Sequence, residues 1–299
     1  MNLSKVYWIE KGRPMTKKNF VEKIKQDAIN IIDENGNGKI DAEDFVIKAM
    51  KVPGIRIKRD EFLRRELTVL CGKEVTQKAI ENNPFIAGVT KEQLNKIADN
   101  VIKLERNKSA VASVGLGTVP GGVTVQIGTT VVDLTQYHVF MIRVAQKLLY
   151  LYGFPQVGEE GKDGSFVIDS GTMNLLLLCV GAMQGLQEAI KGIRWVAQGF
   201  AKGLEKSLMK KALTKGVVYP MVKAVLTKLS VSITKDVFCK YIANSIVFVG
   251  GLLCGGITFV SLDICCKNFK EVISNTALNN PDMLKEVIID VDPKPIENG

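Results

Sequence analysis

The hydrophobic residues of this chain follow two patterns, and the first of them predicts amphipathic helices. In this pattern apolar residues recur at three- and four-residue steps between polar ones. The clearest repeat lies within Ser109–Phe154, at Val132, Tyr137, Phe140, Met141, Val144, Leu148, Leu151 and Tyr152. It predicts a buried helix from Asp133 that ends at Gly153, because glycine accepts a left-handed conformation and Pro155 prevents the helix from resuming.

Similar repeats predict helices nearer the N-terminus, over residues 20–32, 45–50, 56–70 and 90–106. The last of these begins with Thr90 and has Gln93 three residues later, which is the pattern of a capping box. The positions predicted to face the core are Phe62, Leu63, Leu67 and Leu70 in the third helix, and Leu94, Ile97, Ala98, Val101 and Ile102 in the fourth.

The second pattern is a long run without charge. Ser170–Gln187 contains Gly181 and Gly185, four residues apart, a spacing that permits close approach of two helices. Tyr241–Leu262 is uncharged and long enough to span a bilayer. Its glycines are equally consistent with a buried helical hairpin in a soluble core, and both interpretations stay open.

A short acidic segment separates the helices predicted over residues 20–32 and 45–50. Its sequence is DENGNGKIDAED, from Asp33 to Asp44, and helix, twelve-residue acidic loop and helix together form the EF-hand arrangement. The expected ligands are Asp33 at position 1, Asn35 at 3, Asn37 at 5, the Lys39 carbonyl at 7, Asp41 at 9 and Asp44 at 12.

Two features of the loop shape this metal-site prediction. Gly38 at position 6 permits the sharp turn that the motif requires. Asp44 stands where glutamate is usual, and its shorter side chain should lower Ca²⁺ affinity and favour the smaller Mg²⁺. A polar Asx-Gly turn without metal is the alternative. Because no second loop has this spacing, the EF-hand should dimerise, pair with an irregular partner or serve as a fixed structural clip.

The net charge of +9 is concentrated in one part of the chain. Between Lys191 and Lys240, eleven basic residues are opposed only by Glu205 and Asp236. Such a band suits an anionic surface, although it is also typical of a solvated helix face. The candidate residues for membrane binding are Lys202, Lys206, Lys210, Lys211 and Lys215. Few aromatic residues lie among them, so nucleic acid is not an expected partner.

The remaining chemistry of the chain does not predict an enzyme. Its single histidine, His138, lies within a helical repeat without an accompanying nucleophile, which favours a core residue over a catalytic base. Six scattered cysteines lack CxxC spacing, so we expect reduced thiols in a cytoplasmic protein. The N-terminal residues lack the apolar core of a signal peptide, which agrees with that location.

Three segments resemble the EcsC-like family of bacterial proteins: TQYHVFMIRVAQKLLYLYGFP at 135–155, KKALTKGVVYPMVKAVLTKLSVSITKDVF at 210–238 and SIVFVGGLLCGGITFVSLDICCKNFKEVI at 245–273. The resemblance covers roughly residues 59–275. It implies an α-helical, membrane-associated or membrane-proximal protein, and it carries no catalytic residues. The family name derives from association with an ABC transporter system, so a protein partner in a membrane complex is a further expectation.

Together these features predict an all-α protein with four parts: an N-terminal arm at 1–18, the EF-hand at 19–55, an EcsC-like helical domain at 59–275 and an acidic tail at 276–299. We expect a non-catalytic, Ca²⁺- or Mg²⁺-binding protein at the inner face of a membrane, peripheral or partly integral. The alternatives are a pore-forming, toxin-like protein whose apolar segments insert, and a soluble interaction scaffold with a structural metal.

Overall fold

The computed structural model describes residues 8–10, 13–114, 123–160, 166–246 and 251–284. Within these ranges the chain forms ten α-helices and two very short antiparallel hairpins, so the all-α prediction is confirmed. The helices are α1 (Lys17–Ile32), α2 (Ala42–Met50), α3 (Arg59–Glu81), α4 (Lys91–Val114), α5 (Val123–Leu151), α6 (Ser170–Met183), α7 (Gln187–Ala201), α8 (Lys206–Thr214), α9 (Tyr219–Ile246) and α10 (Gly251–Ser274). The strands β1 (Trp8–Glu10) and β2 (Arg13–Met15) pair, as do β3 (Glu159–Glu160) and β4 (Phe166–Val167), and a 3₁₀ turn covers Pro281–Leu284.

Helix α5 is the central element, and it contacts α1, α2, α3, α4, α6, α9 and α10. Nearly every side chain from Phe140 to Tyr152 is buried. The helix begins at Val123, ten residues before the predicted start at Asp133, because the uncharged residues that precede Asp133 continue the helix despite their β-branched side chains. The predicted end is confirmed, since Gly153 has a φ of 93°.

One position of the predicted α5 face is wrong. Val132 is 47% exposed, whereas Val131 and Leu134 are buried. Val132 and Tyr137 are five residues apart, so at about 3.6 residues per turn their side chains point in directions about 140° apart around the helix axis. Val132 therefore lies on a different side of α5 from the rest of the repeat.

Helices α3 and α4 largely follow their predicted patterns. Phe62, Leu63 and Leu67 are buried, but Leu70 is 44% exposed and was predicted wrongly. It precedes Gly72, whose positive φ of 79° bends α3 and rotates the inward face away from Leu70. In α4 the capping box is confirmed, and all five positions of the predicted stripe are buried.

The two glycines of the Ser170–Gln187 run have different roles. A Cβ atom at Gly181 would lie 2.6 Å from Val225 of α9 and 2.9 Å from Ala189 of α7, so this glycine allows the close approach that was predicted. Gly185 lies beyond the end of α6 with a φ of 76°, where it forms the turn into α7. The spacing therefore reflects one contact and one turn.

Several predicted segments lie partly outside the described residues. The glycine-rich Tyr241–Leu262 run is divided between α9 and α10, and residues 247–250 fall outside. Residues 115–122 of the Ser109–Phe154 stretch and residues 285–299 of the acidic tail also lie outside. Helices α1 and α2 share one hydrophobic cluster with α3 through α10, and the division into 19–55 and 59–275 stays a prediction.

Candidate metal-binding loop

Residues Asp33 to Asp41 connect α1 and α2, and α2 begins at Ala42, three residues before the predicted start at Phe45. Asp33 is the C-cap of α1, and Asp41 is the N-cap of α2. Gly36 and Gly38 have φ values of 74° and 73°, a backbone conformation that glycine adopts without steric penalty. The chain thereby folds back sharply in the first half of the loop.

Asp33 organises that first half through its carboxylate. Its Oδ1 accepts hydrogen bonds from the backbone N–H of Gly36 at 2.7 Å and of Asn37 at 3.1 Å. Its Oδ2 accepts one from the backbone N–H of Gly38 at 2.8 Å. Each carboxylate oxygen offers two lone-pair directions, so Oδ2 retains acceptor capacity for a cation.

Asn35 and Asn37 complete the same wall of the loop. Asn35 Oδ1 accepts from the Asn37 N–H at 3.1 Å, and Asn37 Oδ1 accepts from the Lys39 N–H at 2.9 Å. Their amide groups converge on Asp41, whose Oδ2 accepts from Asn37 Nδ2 at 2.7 Å and from Asn35 Nδ2 at 3.4 Å. The side chains at positions 3, 5 and 9 therefore contact one another through the amide nitrogens, while the amide oxygens that would bind an ion accept from the backbone.

The carboxylate of Asp44 is held by hydrogen bonds from the backbone. It is fully buried, and it accepts from the N–H of Glu34 and from that of Asp41, each at 2.8 Å. With Asp41 it forms a reciprocal capping box at the start of α2. Burial raises the pKa of Asp44, although the hydrogen bonds from Asp41 and Glu34 oppose that shift.

The loop offers enough oxygen ligands for a hard cation only when amide and backbone carbonyl oxygens are counted together with the carboxylates. Among the described residues, no three acidic, histidine or cysteine side chains form a group that could hold a metal ion. The loop therefore depends on the Asn35 and Asn37 amides and on the Lys39 carbonyl as well as on its aspartates. Carboxylate and amide oxygens with a backbone carbonyl are the ligands that Ca²⁺ takes in this motif.

The loop is joined to the body of the protein through α9. The backbone N–H of Ala42 donates to Ser230 Oγ at 3.1 Å, and Thr234 Oγ1 lies 3.3 Å from the Ile40 carbonyl oxygen. Ile40, at position 8 of the loop, is only 9% exposed. The loop therefore contacts a helix of the same chain, and its identity as an EF-hand stays a prediction.

Helix α2 packs against α5. Phe45 stacks on His138 with ring centroids 5.3 Å apart. His138 is 2% exposed, and its Nδ1 lies 2.7 Å from the Leu134 carbonyl oxygen. Burial lowers the pKa of His138, so the ring is neutral in the core. Its position fits the predicted core histidine.

Further contacts clamp the loop to α2. Glu34 pairs with Lys48 and Lys51, and these hydrogen bonds lower the pKa of the glutamate. Asn35 Nδ2 also lies 3.2 Å from a carboxylate oxygen of Glu43. The sequence analysis did not identify Glu43, Ser230 or Thr234. Sequence spacing does not show that the start of α2 contacts hydroxyl groups of α9, about 190 residues later in the chain.

The five candidate membrane lysines do not share one environment. Lys210 pairs with Asp169 at 2.7 Å, and Lys206 donates to the Gln156 carbonyl at 3.1 Å. Lys202, Lys211 and Lys215 are exposed. Lys211 lies in the last turn of α8, and Lys215 is the C-cap residue that follows it, with a non-helical backbone. Their binding to an anionic surface stays a prediction.

In the described part of the chain, no single helix is both long and apolar enough for a membrane span. One bent pair meets the length and composition criteria together: Lys206–Thr214 and Tyr219–Thr234, which meet at an angle of 56°.

Comparisons with other proteins do not add to this geometry. No family model, no curated protein and no solved structure matches the chain significantly. The resemblance to EcsC-like proteins therefore stays a proposal.

Proposed function

We propose that this chain is a non-catalytic, Ca²⁺-binding, EcsC-like helical protein that works at an anionic membrane surface. Asp33, Asn35, Asn37, Asp41 and Asp44, with the Lys39 carbonyl, would hold the ion. A bound divalent cation supplies positive charge that screens the mutual repulsion of the aspartates. Mg²⁺ is the alternative occupant, because the short Asp44 side chain suits a smaller ion.

The contact between the loop and α9 is the observation that carries this proposal. Ser230 receives the Ala42 N–H, and α9 follows α8 after a short turn. Helix α8 bears the exposed Lys211 and Leu208, which is 52% exposed, and the exposed Lys215 follows as its C-cap. Basic side chains beside an exposed apolar one favour contact with anionic lipid. Metal binding in the loop would therefore act on the helix pair that approaches the membrane.

Vesicle co-sedimentation with and without Ca²⁺ tests this function. Vesicles of phosphatidylcholine mixed with phosphatidylglycerol should retain more wild-type protein when Ca²⁺ is present. The Lys211→Gln/Lys215→Gln variant should be retained less, whereas Lys25→Gln/Lys73→Gln, with the same charge change at exposed sites elsewhere, should behave as wild type. Equal retention with and without Ca²⁺ would refute a regulatory role for the metal.

A soluble scaffold with a structural metal is the second candidate, and the environment of Asp44 favours it. This carboxylate is fully buried and already bonded to the backbone, which suits a permanent clip. The scaffold would show Ca²⁺-dependent thermal stability without any retention on vesicles.

The bent apolar pair of α8 and α9 favours a third candidate, a pore-forming protein. Release of a trapped dye from the same anionic vesicles would support insertion, whereas retention of protein without dye release would support a peripheral protein.

A further inference from the structure

A second candidate site is a pocket lined by basic side chains, on the C-terminal side of α2 in the sequence. The pocket has a volume of about 330 Å³ and lies between the segment after α2, the start of α3, α4 and α5. Its basic lining residues are Arg56, Lys58, Arg65, Lys108, Arg143 and Lys147. Such a volume is near the lower end of the range for small-molecule sites, about 300–1,000 Å³.

In this pocket three cations share one buried carboxylate. Glu105 is fully buried, and its Oε1 lies 2.6 Å from Lys147 Nζ and 3.3 Å from Lys108 Nζ. Its Oε2 accepts from Arg143 Nε at 3.1 Å. One negative charge thus faces three positive ones. Lys147 and Arg143 lie in a poorly solvated place, where excess charge is unfavourable, whereas Lys108 is 58% exposed.

The pKa shifts of Glu105 and Lys147 agree with this excess of positive charge. Burial alone would raise the pKa of Glu105, but hydrogen bonds from Arg143 and Lys147 lower it to about 2. Burial lowers the pKa of Lys147, and its share of Glu105 does not offset that effect. A further anion near Lys147 would favour the charged form of the lysine.

The rim of the pocket does not remove the excess. Lys58 pairs with Glu61 at 3.4 Å, and Arg65 pairs with Glu66 at 2.8 Å. Apart from Arg56, the lining and Glu105 together place five basic side chains beside three acidic ones, an excess of two positive charges.

The wall of the pocket is held in place before any ligand arrives. Gln146 of α5 accepts from the Ile57 N–H at 3.1 Å and donates to the Ile55 carbonyl at 2.9 Å. Arg143 also donates to the carbonyl of Gly54, in the turn after α2. Groups fixed in this way bind a ligand with less loss of conformational entropy.

We infer that this basic pocket binds a phosphate monoester group, carried by a small soluble molecule or by a lipid headgroup. Arginine forks and lysine ammonium groups are the usual protein partners of phosphate oxygens. Leu104 on the lining is 58% exposed and would contact the organic part of such a ligand. The site does not use any residue of the metal loop.

Calorimetric titration of inorganic phosphate into the full chain tests the inference. The protein should be freed of metal, and the chelator removed by dialysis, because a chelator is itself a polyanion. The Lys58→Gln/Lys108→Gln variant removes two half-exposed cations of the pocket and should bind about tenfold more weakly, at about threefold for each exposed ionic contact. The Lys96→Gln/Lys103→Gln variant changes the charge equally on exposed positions of α4 outside the lining, and should match wild type.

Two results would overturn the inference. The first is a wild-type titration with no heat beyond that of chloride at equal ionic strength. The second is an equal weakening of binding in both double variants, which would indicate only a general effect of net charge. Thermal melts of both variants check that each is folded. The Asp33→Asn variant should bind phosphate as wild type does, so failure at the metal loop is distinguishable from failure here.

Vesicles separate the two sources of the phosphate. If the ligand is a lipid headgroup, vesicles with phosphatidic acid should retain wild type more than Lys58→Gln/Lys108→Gln, and inorganic phosphate should compete. If it is a soluble phosphate, the calorimetric result holds while the two proteins sediment equally with those vesicles. Phosphatidylglycerol vesicles, whose phosphate is a diester, serve as the control.

Discussion

The backbone N–H of Ala42 donates a hydrogen bond of 3.1 Å to the hydroxyl oxygen of Ser230, which lies 188 residues later in the chain. Ala42 is the first residue of α2, where the N–H groups have no partner within the helix. Asp41 satisfies the next N–H groups, at Glu43 and Asp44. Ser230 therefore completes the cap of α2 and joins the loop Asp33–Asp44 to the helical body.

Replacing Ser230 with alanine should lower the free energy of unfolding by about 1 kcal/mol, because the Ala42 N–H loses its acceptor in a partly buried place. Urea denaturation measures this change. Ser232→Ala is the matched control, since Ser232 is exposed on the same helix. Equal stability of the two variants would show that the Ser230 contact is not stabilising.

Replacing Asp44 with alanine should lower the free energy of unfolding by about 1–3 kcal/mol even without metal. The substitution breaks the capping box and leaves the N–H groups of Glu34 and Asp41 without an acceptor. Thermal denaturation of the metal-free protein measures the loss. An unchanged midpoint would mean that Asp44 has no structural role without an ion.

Asp44→Glu addresses the ion preference of the same position. The longer carboxylate can approach a cation with both oxygens, as the motif normally does, so the affinity for Ca²⁺ should rise relative to that for Mg²⁺. Competition titrations give the ratio. A fall in this ratio would contradict the role assigned to position 12.

The acid stability of the protein should depend on Glu105. Its pKa is lowered from 4.5 to about 2 in the folded state. The ionised carboxylate therefore contributes stability above the unfolded pKa, and that contribution is lost as the pH falls from about 5 towards 2. The difference corresponds to about 3 kcal/mol.

Glu105→Gln should therefore be less stable at neutral pH and should show a flatter decline between about pH 5 and pH 2. Urea unfolding at several pH values measures both effects. Glu271→Gln, which changes an exposed glutamate of α10, should follow the wild-type curve. A steep decline retained in Glu105→Gln would place the acid sensitivity elsewhere.

The turn after α5 requires glycine for two reasons that can be separated. Gly153 and Gly88 have nearly equal φ values, 93° and 94°, but a Cβ at Gly153 would lie 2.2 Å from Asn83 Nδ2, whereas a Cβ at Gly88 would meet nothing within 4 Å. Gly88→Ala should cost about 1–2 kcal/mol from backbone strain alone. Gly153→Ala should cost about 1–3 kcal/mol more because of the steric clash. Equal losses, measured by urea denaturation, would show that Asn83 moves aside freely.

The sequence predicted local features well, because their causes are local. Gly153 ends α5 and Thr90 with Gln93 caps α4 as expected, since each depends on residues within a few positions. The side chains at positions 3, 5 and 9 of the loop lie close together, and their role as metal ligands stays a prediction.

Other features depend on tertiary contacts and could not be read in this way. The exposure of Leu70 follows from the bend at Gly72, and the acceptor at Ser230 comes from a distant helix. The Glu105 cluster joins two helices, and a charge embedded in a helical repeat gives no sign of its partner. Periodicity identifies the buried face of a helix without identifying what packs against it.

Calorimetric titration of Ca²⁺ and Mg²⁺ into the metal-free protein is the most direct test of the loop as a metal site. Wild type should bind one ion, and Asp33→Asn, which removes a charge but keeps an oxygen for the turn, should bind at least about tenfold more weakly. Glu22→Gln, an exposed charge change on α1, should match wild type. Absence of binding in wild type, or equal affinity in Asp33→Asn, would contradict the account and leave the loop as a polar turn.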